Sequence, residues 1–193
     1  MKLLPGDMAP AIALQTIAGR SIAIPNPSAR FVHLQFRRFA GCPVCNFHLM
    51  TLARRQPEIE AAGIHQVVLF HSSKEEMRKY QAQLPFDCVA DLGKKHYRQF
   101  GVENSVLALL NPRVFWSGMR WVLASRRFYR KAENGITGLP ADFLIDSGGR
   151  VVACNYGTHA DDQWDADELL KLAADAGHVT PKPWRASALP NAE

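Results

Sequence analysis

The chain predicts an α/β protein: a mixed central sheet flanked by helices, with an N-terminal β-hairpin and a helical insert. Three observations carry that prediction. Strand-like and helix-like segments alternate between residues 31 and 100, as in parallel strands joined by crossover helices. Ile64-His-Gln-Val-Val-Leu-Phe70 is a nearly continuous apolar run, the pattern of a strand buried on both faces. Ala141–Asp146 and Arg150–Tyr156 flank Ser147-Gly148-Gly149, a hairpin signature that closes the sheet with an antiparallel pair.

Each element has its own local reason. Residues 11–15 and 21–24 are short apolar stretches around the turn Ala18-Gly19-Arg20, which makes a hairpin. Pro25-Asn26-Pro27-Ser28 forces a loop. In Phe31–Arg37, Val32, Leu34 and Phe36 alternate with His33 and Gln35, a strand period. From Pro43 the apolar spacing turns helical as far as Gly63, with Pro57 bending or breaking it. Ser72 or Ser73 caps a helix over residues 74–83, with Glu75 and Glu76 in its first turn. Phe86–Ala90 is a strand, Gly93–Phe100 a short helix closed by Gly101, and Trp164–Ala176 a last helix stopped by Gly177.

At 193 residues the chain suits one domain that buries roughly 70% of its unfolded surface. That domain spans residues 1–178, with an insert over about 104–134, and Pro181, Pro183 and Pro190 make 179–193 a flexible tail. In the insert, apolar and aromatic residues from Val114 to Tyr129 alternate with arginines at near-helical spacing. A helix there packs on the domain or at a homodimer contact, walls a pocket, or lies on anionic membrane. Its wide apolar surface favours packing plus a pocket wall.

The net charge of +5 comes with no nucleic-acid-binding module. No apolar run approaches the ~20 residues of a membrane span, and the first residues lack a signal-peptide core. Four cysteines in this length suit a reducing compartment. The expectation is a cytoplasmic protein without nucleic-acid or membrane partners.

The chemistry gathers at Arg37-Arg38-Phe39-Ala40-Gly41-Cys42-Pro43-Val44-Cys45, where a strand ends and a helix begins. Pro43 suits the first helical position, so Cys42 is the N-cap and Cys45 lies one turn later on the same side. A sulfur there faces unpaired backbone N–H groups and the positive end of the helix dipole. Arg37 and Arg38 add charge that stabilises the reactive thiolate. This is the pattern of a redox dithiol. Two buried structural thiols and a metal half-site completed by a histidine such as His48 are the competing readings. Cys88 and Cys154 form no second C-x-x-C, so neither a metal nor a cofactor is expected. Both sit inside strands and look like core, and His48 either tunes Cys45 or packs beside it.

A strand, C-x-x-C at a helix start, βαβ, then a proline heading a hairpin and a last helix together resemble the thioredoxin-like fold. The opening Pro5-Gly-Asp-Met-Ala-Pro10 before a hairpin resembles peroxiredoxins of the alkyl hydroperoxide reductase/thiol-specific antioxidant type. The resemblance runs from about Gly6 to Leu170, apart from the insert. Cys45 falls on the peroxide-reacting cysteine of the family motif P-x-x-x-T-x-x-C, while Arg38 stands at its proline and Cys42 at its threonine. Where the family carries an arginine before its F-I-I-D-like strand, this chain has Pro140. Gly138-Leu139-Pro140 instead resembles the cis-proline segment of thioredoxins.

The resemblance implies a peroxiredoxin-like thiol oxidoreductase acting on a hydroperoxide or a disulfide through Cys42 and Cys45. A thioredoxin- or glutathione-type electron donor would reduce it again. A disulfide reductase without peroxidase activity is the alternative, and a non-catalytic metal or partner-binding module a third. In exchange chemistry Cys42 attacks and Cys45 resolves; in peroxidase chemistry Cys45 attacks and Cys42 closes the disulfide. The resemblance further implies that a cis Pro140 frees the Leu139 backbone to pair with substrate, and that His159, after the last strand, lines the site. Arg37 or Arg38 would polarise a peroxide.

Overall fold

The computed structural model describes residues 1–102, 133, 135 and 138–178. The predicted insert helix and the C-terminal tail therefore lie outside the described residues, Glu133 apart. The elements in chain order are β1 (Ile12–Gln15), β2 (Ser21–Ile24), β3 (Phe31–Arg37), α1 (Pro43–Arg54), α2 (Gln56–Ala61), β4 (Ile64–Phe70), α3 (Lys74–Gln81), β5 (Asp87–Ala90), α4 (Lys95–Gln99), β6 (Ala141–Asp146), β7 (Val151–Tyr156) and α5 (Ala166–His178).

Among the described residues β5-β4-β3-β6-β7 form one sheet, and β1-β2 a separate hairpin. The β3–β4 and β4–β5 pairs are parallel, while β3–β6 and β6–β7 are antiparallel. This is the mixed sheet the sequence predicts, in a thioredoxin-like fold. Residues 6–9 run along the β7 edge, where Gly6 N–H donates to the Val151 carbonyl at 2.8 Å. The hairpin reaches the opposite edge through Ile17 N–H on the Cys88 carbonyl, 2.8 Å.

Both faces of β3 are covered, and all seven of its residues are buried. Val32, Leu34 and Phe36 join Ile24, Leu69, Tyr97, Phe100 and Phe143 in one apolar cluster. The opposite cluster takes Leu49 and Leu52 from α1, Val68 and Phe70 from β4, and Leu169 and Ala173 from α5. Each such side chain withdrawn from water contributes about 1.5–3 kcal/mol.

Several boundaries move from their predicted places for visible reasons. Pro57 divides the long helical stretch as anticipated, giving α1 and α2 with a break at Arg55 (φ −107°, ψ 13°). α4 is shorter than Gly93–Phe100, because Lys94 stands at φ 53° and the Asp91 carboxylate accepts from the Lys95 and His96 N–H groups at 3.0 and 2.8 Å. α5 begins at Ala166, not Trp164, since Asp165 Oδ1 caps it by accepting from Glu168 N–H at 2.9 Å. It also continues through Gly177. Among the described residues no helix is long and apolar enough to cross a membrane.

Candidate active site

β3 delivers Arg37 and Arg38 to the C-terminal end of the sheet, and a tight turn then starts α1. Cys42 is the N-cap (φ −62°, ψ 116°), followed by the proline that ends the need for a backbone donor. Its Sγ accepts from Cys45 N–H at 3.4 Å, from Cys45 Sγ–H at 2.8 Å, and from Arg38 Nη1 at 3.8 Å. The two sulfurs are unbridged and both are 0% exposed. The gap is longer than the ~2.05 Å of a disulfide, so this is a dithiol one bond short of closure.

The two thiols are chemically unequal. Burial alone would raise the pKa of Cys42, but the donated Cys45 thiol, the Arg38 charge and the N–H groups of Cys45 and Val44 bring it down to about 7. Burial pushes Cys45 well up, and its hydrogen bond and proximity to the Cys42 sulfur push it further. The arrangement favours negative charge on Cys42 Sγ and the proton on Cys45 Sγ.

Arg37 and Arg38, adjacent in sequence, have separate partners. Arg38 stays at the dithiol. Arg37 is 0% exposed and turns the other way: Nη1 and Nη2 grip Asp142 Oδ2 and Oδ1 at 3.0 and 2.7 Å, and Nη2 also reaches Gln35 Oε1 at 2.8 Å. Its charge is spent on a buried carboxylate, so the expectation that Arg37 faces a peroxide is corrected. His33 Nε2 completes the cluster on Asp142 Oδ1 at 2.9 Å. Burial would raise the Asp142 pKa, but Arg37 and His33 hold it well below the usual carboxylate range. Burial keeps His33 neutral by lowering its pKa, so His33 is the donor of that bond.

The chain continues from Gln35 Nε2 to Gln66 Oε1 (3.1 Å), from Gln66 Nε2 to Gln56 Oε1 (2.5 Å), and from Gln56 Nε2 to Glu60 Oε1 (2.7 Å). The Arg37–Asp142 pair ties the end of β3, which leads into the dithiol turn, to the start of β6, which follows Pro140.

The Gly138–Pro140 segment does approach the site. A side chain at Gly138 would meet His71 Nε2 at 2.9 Å and the Arg38 side chain at 3.8 Å. The Leu139–Pro140 bond is trans, which corrects the expected cis proline; among the described residues the cis X-Pro bond is Ile24–Pro25. Trans is the lower-energy isomer of any X-Pro bond, and here the Pro140 carbonyl accepts from Gly157 N–H at 3.0 Å. His159 belongs to its own loop, its Nδ1 accepting from Asp161 N–H at 3.3 Å. His48 is packed near Arg37, Asp142 and His33, and burial lowers its pKa to about 3. Cys88 is buried and Cys154 half-buried, with burial pushing Cys88 up to about 12. Among the described residues no group of three or more His, Cys, Asp or Glu side chains could hold a metal ion.

Three contributors escape sequence reasoning, Asp142, Asn46 and Gln81, and a fourth, Ser72, was expected only as a candidate helix cap, a place that Ser73 takes. Ser72 Oγ accepts from Ala40 N–H at 3.0 Å, and the two amides hold the Ala40 carbonyl. The available signal for Asp142 was β-pairing register, which sets it opposite Gln35.

Fold and site together define a thioredoxin-fold protein with a C-x-x-C dithiol at the start of its first long helix. The sequence profile of the AhpC/TSA antioxidant enzymes matches residues 51–159, just over half the chain, beginning downstream of the dithiol. The chain belongs to that family. Among curated proteins no relative matches. Solved structures show the same fold at low identity. Peroxidoxin BcpB of Mycobacterium tuberculosis superposes with a TM-score of 0.65 at 16% identity, covering 90% of this chain and 97% of its own. A chain assigned as the thiol:disulfide interchange protein DsbE of Chlorobium tepidum gives 0.60 at 21%, covering 91% and 99%. A peroxiredoxin-like protein of Aquifex aeolicus gives 0.64 at 14%, covering 91% and 89%.

Proposed function

We propose that the protein is a thiol oxidoreductase that reduces hydroperoxides through the Cys42/Cys45 pair, with Cys42 as attacking thiolate and Cys45 as resolving thiol. The observation that carries this is the placement of Cys42 Sγ at the N-cap of α1, where it accepts from Cys45 N–H, from Cys45 Sγ–H at 2.8 Å and from Arg38 Nη1. The Cys42 thiolate attacks the distal peroxide oxygen and becomes a sulfenic acid as the O–O bond breaks, and the departing alkoxide or hydroxide takes a proton from solvent. Arg38 stands where it can orient the peroxide. Cys45 then attacks the resulting sulfenic sulfur, its proton leaves with the hydroxide as water, and the disulfide closes. A thioredoxin- or glutathione-type thiol returns two electrons. Complete burial of both sulfurs favours an oxidant the size of a small hydroperoxide over a folded protein.

A second reading, protein disulfide reduction, is favoured by which cysteine is acidic. The exchange mechanism needs the first cysteine as nucleophile, and Cys42 is that residue. The cytoplasm, a reducing compartment, suits either activity. The test is to expose the reduced protein to stoichiometric hydrogen peroxide and, separately, to an oxidised thioredoxin-type partner. Mass spectrometry then follows the loss of two hydrogens at Cys42 and Cys45. Fast closure by peroxide supports the first reading; closure by the protein disulfide alone supports the second. Closure by neither defeats both.

A further inference from the structure

Between β3 and α1 the chain must turn back within Arg38–Cys42, and the backbone groups of that turn are buried, with Ala40 0% exposed. The Ala40 carbonyl needs partners, and two side-chain amides from different helices supply them. Asn46 Nδ2, on α1, donates to it at 2.6 Å and to the Cys42 carbonyl at 2.9 Å. Gln81 Nε2, at the end of α3, donates to the same Ala40 carbonyl at 2.8 Å and to Asn46 Oδ1 at 2.8 Å. Both amide orientations follow from the network, because each NH2 group faces two oxygens. Gln81 Oε1 is left buried with no partner among the described residues. An amide that gives up its acceptor bond to donate twice is committed to this turn.

We propose that Asn46 and Gln81 are positioning residues that clamp the Ala40 and Cys42 carbonyls and so keep Cys42 at the N-cap of α1, with its sulfur toward the N–H groups and its carbonyls turned away. This rests on the dithiol reading above and adds to it the residues that make Cys42 the attacking sulfur. With the clamp gone, the turn loosens, Cys42 Sγ loses its alignment with Cys45 N–H, and nearby carbonyl dipoles are free to face it. Each change favours the thiol over the thiolate.

The experiment is a thiolate absorbance titration near 240 nm of the wild type, Asn46→Ala, Gln81→Ala and the double variant. Near-UV circular dichroism reports on folding of each. Arg38 and Cys45, the charged and titratable residues against Cys42, are unaltered in every variant. Burial pushes Cys88 up to about 12 and raises Cys154, and Cys88→Ser and Cys154→Ser in every sample remove both from the signal. Each single variant should hold its Cys42 proton about tenfold more tightly. The double variant should shift by less than the sum, because both amides act through one carbonyl. Folded variants that titrate as the wild type overturn the inference, as does strict additivity. Should Asn46→Ala fail to fold, Gln81→Met keeps the side-chain bulk, removes the donors and decides alone. A wild type that never forms the Cys42–Cys45 disulfide defeats the redox reading, while the titration still judges the clamp.

Discussion

On one face of β3, Val32, Leu34 and Phe36 sit in an apolar cluster with the hairpin and α4. On the other, His33, Gln35 and Arg37 build a hydrogen-bonded chain that is just as buried. The apolar face holds the sheet together and is indifferent to pH. The polar face links the turn that carries the dithiol to the strand that follows Pro140, and it holds a dry ion pair, Arg37 with Asp142, beside the titratable His33. The difference places pH sensitivity beside the chemistry and bulk cohesion behind it. A buried ion pair is a poor source of net stability; what this one supplies is a fixed distance between two active-site segments.

The sharpest way to break the comparison is Asp142→Ala. It strands the Arg37 guanidinium in the interior, and losing one partner of a buried pair costs about 3–5 kcal/mol. Phe36→Ala, on the apolar side, should cost about as much, ~3–5 kcal/mol. Urea unfolding at pH 6 and pH 3 separates them: the Asp142→Ala deficit should shrink at pH 3, below the unfolded carboxylate value of about 4, and the Phe36→Ala deficit should not.

In the unmodified protein, burial depresses the pKa of His33, of His48 to about 3 and of His71 to about 4, all from 6.5. Below 6.5 the unfolded chain therefore binds more protons than the folded one, and stability rises with pH across that window. Acidification below pH 6.5 should cost up to about 1.4 kcal/mol per pH unit for His48 and for His71, with His33 acting in the same direction. Asp142 has a depressed pKa, so its contribution is present above an unfolded value near 4 and fades only below it. A stability profile flat between pH 6.5 and 4.5 contradicts this picture of the polar face.

A smaller effect belongs to Gly138→Ala. Its added methyl would meet His71 Nε2 at 2.9 Å, an overpacking worth about 1–3 kcal/mol. Smaller again is Arg38→Met, which should raise the Cys42 pKa by about one unit and leave the thermal midpoint nearly unchanged, as read by alkylation rate against pH.

How much of this was written in the chain depends on the range of the interaction. The hairpin, the parallel strands, the closing antiparallel pair and Cys42 as N-cap follow from neighbours within a few residues, and periodicity exposes them. The alternation in β3 also gave the right two faces. It could not say that the polar face is buried, because alternation looks the same whether the polar side meets water or Asp142, which lies 105 residues downstream of Arg37. Gln81 was invisible for the same reason, lying 41 residues from the carbonyl it holds. The family motif suggested Cys45 as a candidate nucleophile. It cannot weigh a desolvated thiol against an N-cap thiolate one turn away, since that balance depends on where Arg38 and the Cys45 proton come to rest.

The most direct measurement is single-turnover oxidation of Cys42→Ser and Cys45→Ser by hydrogen peroxide at pH 7, with dimedone trapping of sulfenic acid. Cys45→Ser should react near the wild-type rate and carry the adduct on Cys42. Cys42→Ser should be at least tens of times slower, because burial keeps the Cys45 thiol protonated at pH 7. A Cys42→Ser protein that keeps the wild-type rate, with the adduct on Cys45, would contradict the assignment of Cys42 as the attacking sulfur.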